Sequence, residues 1–350
     1  MRMANWRRGA AIASVALPLT LVAQDAPQPR HRAGYQVLRV EDAARSRPIQ
    51  LDVWYPTPAD EAAHTYGLSR GRVARDAATA PGVFPAILLS HGALGAATNY
   101  SWIAERLARS GFLVIGVSHF GESPVFGQAT VDPATVSHFR ARTLDLSFAL
   151  DFVLQRSKWA TAVDGGRVAA LGHSSGGATV AMLAGGLYRP QGMAAHCSSP
   201  ASAGDKGCAY PVGSTSGAAN EVPATDSRIR AVVLLDPAVG PGFDRDSLAG
   251  VRLPALVIGS TDNDFVPYAS HAGRYAALLP KADVMRLDRG EGHFVYVDEC
   301  SAPIEALGVP LCTDRPGVGR GDVHARLGIR ILEFLDRHFT AGRATPGPAR

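Results

Sequence analysis

Two kinds of hydrophobic patterning divide the chain. Residues 35–40 and 49–55 alternate apolar and polar positions, the period of half-buried strands. From residue 84 the pattern changes to short continuous apolar runs at 85–89, 112–117, 168–171, 229–235 and 253–258, with a last strand expected at 284–287. Strands apolar on both faces belong in a parallel sheet covered by helices. Between the runs, 102–107 and 143–154 repeat apolar residues at spacings of three and four, and Val323 to Phe339 has the same period. The alternation predicts an α/β fold, with a mostly parallel central sheet and helices on both faces. Residues 59–82 are polar and Ala-rich without a period, which reads as an irregular surface excursion. No internal repeat interrupts the pattern.

The ends read differently. Met1 to Arg8 carries three arginines and is followed by an apolar stretch up to Ala23, then Gln24-Asp25. A basic region, a short apolar region and a small residue at its end describe a secretory signal peptide over 1–23. An uncleaved anchor is the alternative, although the stretch is short for a membrane span. Residues 24–34 are expected to be a flexible linker, 35–341 the folded domain and 342–350 a disordered tail. Inside the domain, about forty residues from Leu187 to Arg228 are rich in Gly, Ser, Ala and Pro, and predict an insertion: a stapled excursion near the active face that shapes specificity, with a passive surface loop as the alternative.

Charge and cysteines follow from that leader. The 350 residues include 35 basic and 31 acidic ones. Without Arg2, Arg7 and Arg8 the balance is 32 to 31, so no basic footprint for nucleic acid remains. An exported protein, periplasmic or secreted, with no stable membrane span after cleavage, meets an oxidising compartment. There the four cysteines read as disulfides, Cys197–Cys208 and Cys300–Cys312, each closing a short loop worth roughly 2–3 kcal/mol. The spacing lacks C-x-x-C, so no structural metal site is expected; no cofactor is expected either.

The chemistry centres on Gly172-His173-Ser174-Ser175-Gly176. With 37 glycines in the chain the pentapeptide alone is weak evidence, but here an apolar strand runs into it and a helical stretch leaves it. A serine on such a turn projects its hydroxyl above the sheet as a nucleophile. The turn Ser90-His91-Gly92-Ala93-Leu94-Gly95 follows the 85–89 strand and supplies a second oxyanion donor, so the N–H groups of Ala93 and Ser175 are assigned to that role. His91 is expected to brace this turn, and His119 is a candidate to line the site. His293, in Gly290-Glu291-Gly292-His293-Phe294, is assigned as the general base because it follows every other candidate in chain order. Three strand-end carboxylates lie between Ser174 and His293: Asp236, Asp262 and Asp264.

In this order the four elements Ser90-His91-Gly92, Gly172 to Gly176, Asn263-Asp264-Phe265-Val266-Pro267 and Gly290 to Phe294 are specific. From about Tyr35 to Phe339 the chain resembles the α/β-hydrolase family of predicted dienelactone hydrolases, related to platelet-activating-factor acetylhydrolases and bacterial cutinase-like lipases. The resemblance implies a metal-independent ester hydrolase. The lipases carry their acid where Asp264 stands, which favours Asp264. The acetylhydrolases carry theirs after the preceding strand, which keeps Asp236 open, with Asp262 the third choice. Dienelactone hydrolases proper use a cysteine nucleophile, so the serine leaves the substrate unassigned.

The expected function is therefore an exported serine hydrolase that cleaves carboxylic esters of small molecules through a Ser-His-Asp triad and an acyl-enzyme. A peptidase, thioesterase or lactonase would use the same triad, and a catalytically silent binding protein would keep the same fold.

Overall fold

A computed structural model describes residues 30–210, 222–301 and 309–339. The expected signal peptide, most of the linker and the tail lie outside those residues.

Among the described residues, ten strands form one sheet. They are β1 (Arg32–Asp42), β2 (Arg47–Thr57), β3 (Ala62–Tyr66), β4 (Ser69–Arg75), β5 (Phe84–Ser90), β6 (Leu113–Ser118), β7 (Val163–His173), β8 (Ile229–Leu235), β9 (Ala255–Ser260) and β10 (Ala282–Leu287). Their spatial order is β10-β9-β8-β7-β5-β6-β2-β1-β4-β3. The six strands from β5 to β10 run parallel to their neighbours, while β2 pairs antiparallel with both β6 and β1. Every strand read from the apolar runs is present. β1 begins at Arg32, so residues 32–34 are strand rather than linker.

The 59–82 segment departs from its irregular reading. It folds into the β3–β4 hairpin, closed at Gly67 with φ +60°, and joins the sheet where Gly34 and Tyr35 pair with Ala74 and Arg75. Most residues of β3 are exposed or half-buried, so no alternation of apolar residues announces it.

Among the described residues, seven α-helices cover the sheet: α1 (Ser101–Arg109), α2 (Phe139–Arg156), α3 (Ser175–Leu183), α4 (Pro190–Cys197), α5 (Arg245–Gly250), α6 (Ala272–Leu278) and α7 (Arg320–Phe339). Strand alternation sends side chains to two separate cores. Ala86 and Leu88 of β5 pack with Leu146 and Leu150 of α2 on one face. Ile87 and Leu89 pack with Ile103 of α1 and Leu327 of α7 on the other. This two-faced burial is why the central strands are apolar throughout. No helix among the described residues is long and apolar enough to cross a membrane.

Both expected disulfides are present, Cys197–Cys208 and Cys300–Cys312, each with a Cα–Cα distance of 5.5 Å. The first staples α4 to the short turn at Lys206–Ala209.

Candidate active site

Ser174 sits between the end of β7 and the first turn of α3, with φ 55° and ψ −121°. A non-glycine residue held there costs about 1–3 kcal/mol, so its surroundings must enforce it. Its N–H donates to the Leu235 carbonyl at 3.0 Å, and its own carbonyl accepts from Ala238 and Ala178 at 3.1 Å each. The flanking glycines are steric requirements. A Cβ on Gly172 would meet the Gly176 carbonyl oxygen at 2.2 Å, and one on Gly176 would meet the Ser90 carbonyl oxygen at 2.0 Å. Glycine at both positions thus lets this strand, helix and turn approach so closely.

His293 begins a single helical turn, His293–Tyr296, on the loop after β10. Its Nε2 lies 2.9 Å from Ser174 Oγ, and its Nδ1 lies 2.7 Å from Asp236 Oδ2. All three side chains are nearly buried, with Ser174 6%, His293 1% and Asp236 1% exposed. The ring is held between Phe265, stacked at 5.2 Å and 13°, and the edge of Phe294.

From the sequence Asp264 is favoured for the acid; the structure puts Asp236 at the imidazole instead. Asp236 directly follows β8 with φ 42°, and its carboxylate faces the His293 loop. There it accepts from Ser260 N–H at 3.3 Å, from the Asn263 amide and from His293 Nδ1. Asp264 serves the same loop differently, accepting the backbone N–H of His293 at 2.9 Å. Gly292 lets that carboxylate approach, since a Cβ there would stand 2.8 Å from Asp264 Oδ2. Asp262 meets neither group; its carbonyl accepts from Arg315 at 2.7 Å. Asn263, which orients Asp236 and caps Phe265 and Val266, was hidden between two carboxylates in the sequence.

Burial pushes the His293 imidazole down to about 3, so it is neutral at ordinary pH. Burial raises the Asp236 carboxyl, opposed by the donors from Ser260 and Asn263.

The turn after β5 faces Ser174. Ala93 lines the cleft in front of the serine, and its N–H has no acceptor among the described residues. Ser175 occupies the first position of α3, where helical N–H groups lack intrahelical partners. The turn is held from beneath by Arg142, buried with Glu122. The guanidinium donates to the His91 carbonyl, to Ser90 Oγ at 3.2 Å and to Glu122 at 2.7 Å. His91 braces the turn as expected, its Nδ1–H donating to the Gly92 carbonyl at 2.6 Å while Nε2 accepts from His119 N–H.

His119 does not line the site. It is buried beneath it, with Nε2 3.0 Å from Ser90 Oγ and Nδ1 2.9 Å from Asp145. Ser90, His119 and Asp145 thus repeat the connectivity of Ser174, His293 and Asp236 inside the core. Ser90 is 1% exposed and its oxygen is already engaged by Arg142, so no substrate reaches it.

Ser174 and His293 open into a cleft of about 430 Å³. Its walls come from distant places: Leu68 of the β3–β4 turn, Leu94, Val125, Tyr210 beyond the first disulfide, and Leu311 beside the second. No Lys, Arg, Asp or Glu is among the described residues that line it. The stapled segment docks on the loop after β9, since Lys206 N–H donates to the Phe265 carbonyl at 2.8 Å. Asp205 there binds His196 at 2.9 Å and His271 at 2.7 Å. Ligand atoms of His196, Asp205 and Cys208 lie within 4.8 Å of one another, but the Cys208 sulfur is bonded to Cys197.

Known proteins share parts of this fold. The family described as serine aminopeptidase, S33 (Hydrolase_4) matches residues 83–242, from β5 through the elbow to the loop after β8. The solved ferulic acid esterase of Streptomyces cinnamoneus superposes with a TM-score of 0.58 at 20% identity, over 93% of this chain and 95% of that one. The fold is that of the α/β-hydrolases. Among relatives of the chain, the bis(hydroxyethyl) terephthalate hydrolase of Streptomyces coelicolor is 26% identical over 217 residues, 62% of this chain and 52% of the relative. Cutinase 2 of Thermobifida cellulosilytica is 24% identical over 200 residues, 56% of this chain and 55% of the relative. The chain thus spans about half the length of these curated relatives.

Proposed function

We propose that this chain is a serine hydrolase of carboxylic esters, with Ser174 as nucleophile, His293 as base and Asp236 as the acid that holds the base. The observation that carries the reading is the continuous line from Ser174 Oγ through both imidazole nitrogens to Asp236, at 2.9 and 2.7 Å, opening into a cleft. In acylation, Ser174 Oγ attacks the ester carbonyl carbon as Nε2 of His293 takes its proton. The N–H groups of Ala93 and Ser175 receive the oxyanion. His293 returns the proton to the departing alcohol, and water then cleaves the acyl-enzyme by the reverse path. Asp236 keeps Nδ1–H in place and stabilises the transient imidazolium.

The cleft walls favour an uncharged, apolar acyl or alcohol group, because burying an unpaired charge against them is costly. Similarity to the bis(hydroxyethyl) terephthalate hydrolase supports an ester substrate. An aminopeptidase must pair the free ammonium of its substrate, and no carboxylate among the described lining residues offers that partner. The two disulfides support an exported protein.

The test is hydrolysis of short p-nitrophenyl esters beside amino-acid p-nitroanilides. Ester cleavage that disappears in Ser174→Ala, with the fold retained by circular dichroism, is the expected result. Unchanged turnover in that variant overturns the assignment.

A further inference from the structure

His173, which precedes Ser174 in the Gly172–Gly176 elbow, is buried at the wall of the cleft, between the two loops that carry the oxyanion donor and the base. Its Nε2 lies 3.0 Å from the His293 carbonyl oxygen, and its Nδ1 lies 2.8 Å from the Tyr100 hydroxyl. The same hydroxyl accepts the N–H of Gly92 at 3.0 Å. Tyr100 is 3% and His173 2% exposed.

Only one arrangement of protons satisfies these contacts. A carbonyl oxygen accepts, so Nε2 of His173 must carry the proton and donate to His293. Burial holds His173 far below its usual range, so the ring is neutral and Nδ1 has a lone pair. The Tyr100 O–H therefore donates to Nδ1, and its oxygen is free to accept from Gly92. The result is a directed chain: Gly92 N–H to Tyr100, Tyr100 O–H to His173, His173 N–H to the His293 carbonyl. Each end touches the backbone of a working loop. Gly92 immediately precedes Ala93, and His293 is itself the base. A Cβ on Gly92 would sit 3.4 Å from Ser174 Cβ, so the turn has little room to shift without disturbing the serine.

We propose that Tyr100 and His173 are positioning residues that set the oxyanion donor at Ala93 relative to the base at His293, across the nucleophile between them. This rests on the assignment of Ser174, His293 and Ala93 made above. Neither side chain exchanges a proton with substrate. Their role is to hold two loops, from opposite sides of the elbow, in the one relation that serves the tetrahedral intermediate.

The test is Tyr100→Phe, which keeps the ring in the core and removes the shared oxygen. The kcat, counted per site titrated with a fluorophosphonate, is expected to fall about tenfold or more with KM within about twofold, as for an interaction felt chiefly in the transition state. Affinity for an aryl trifluoromethyl ketone, to which Ser174 adds to leave an oxyanion in the hole, is expected to fall in parallel. His173→Gln and His173→Leu carry the test independently of how Tyr100→Phe folds. Glutamine keeps an N–H for the His293 carbonyl and is expected to retain more kcat than leucine. Per-site kcat and ketone affinity within twofold of wild type in Tyr100→Phe overturn the proposal, as does equal loss in the two His173 variants. A wild-type protein that neither cleaves esters nor takes the fluorophosphonate would instead remove the parent assignment.

Discussion

The Asp236 carboxylate meets Nδ1 of His293 at 2.7 Å, from the end of β8, while Asp264 reaches only the backbone N–H of the same residue. The two carboxylates therefore do different work within one loop. Replacing Asp236 by Asn leaves the shape but permits the wrong tautomer, and kcat is expected to drop by about 10³–10⁴. Asp264→Asn keeps an oxygen that accepts the His293 N–H, so its kcat is expected to stay within about tenfold of wild type. Steady-state kinetics of the two variants decide between the positions; the opposite ranking would return the acid to Asp264.

A second prediction concerns pH. Burial lowers the His293 imidazole, which must be neutral to accept the Ser174 proton. A lowered value means that acid must go further before the base is lost. The acid limb of kcat/KM is therefore expected to have its midpoint below the ordinary 6.5 of imidazole. Stability shares the sign. His119, held at about 3 by burial, stays neutral in the folded protein while the unfolded chain protonates near 6.5. Its contribution is complete above 6.5 and is lost as pH falls toward 3. Tm measured from pH 8 to pH 4 should decline below 6.5; a flat profile contradicts the burial of these rings.

Much of this was legible in the residues. Continuous apolar runs announced β5 to β9 because both faces of those strands are buried, and the glycines of the elbow announced Ser174 because any Cβ there collides with backbone. The acid was ambiguous for a geometric reason. Asp236 and Asp264 both end or follow parallel neighbours, and only the φ of 42° at Asp236 and the Asn263 amide decide which carboxylate turns toward the imidazole. Tyr100 carried no signal, since an aromatic residue at the start of an amphipathic helix reads as core. The β3–β4 hairpin was silent because its alternation is polar against polar.

The buried Ser90, His119 and Asp145 set gives a third prediction. Its hydroxyl is beneath the oxyanion turn and engaged by Arg142, so connectivity alone does not make it reactive. A fluorophosphonate is expected to label the wild-type protein once and Ser174→Ala not at all, although Ser90 remains intact. Intact-mass measurement reads this directly, and any label on the folded Ser174→Ala protein would reveal a second nucleophile.

The Cys197–Cys208 staple should affect substrate selection as well as stability. It closes a separation of 11 residues, which by loop entropy is worth about 3 kcal/mol. The stapled turn also places Lys206 N–H on the Phe265 carbonyl, and Phe265 is the ring stacked on His293 while Tyr210 forms a cleft wall. Loosening the staple therefore slackens one wall and the cover of the base together, leaving Ser174, Asp236 and Ala93 on β-strand ends and turns that the disulfide does not touch. In Cys197→Ala/Cys208→Ala, Tm is expected to fall by several degrees. KM for bulky apolar esters is expected to rise more than KM for a p-nitrophenyl acetate, which makes little use of the wall. Equal KM changes for small and large esters would confine the staple to stability.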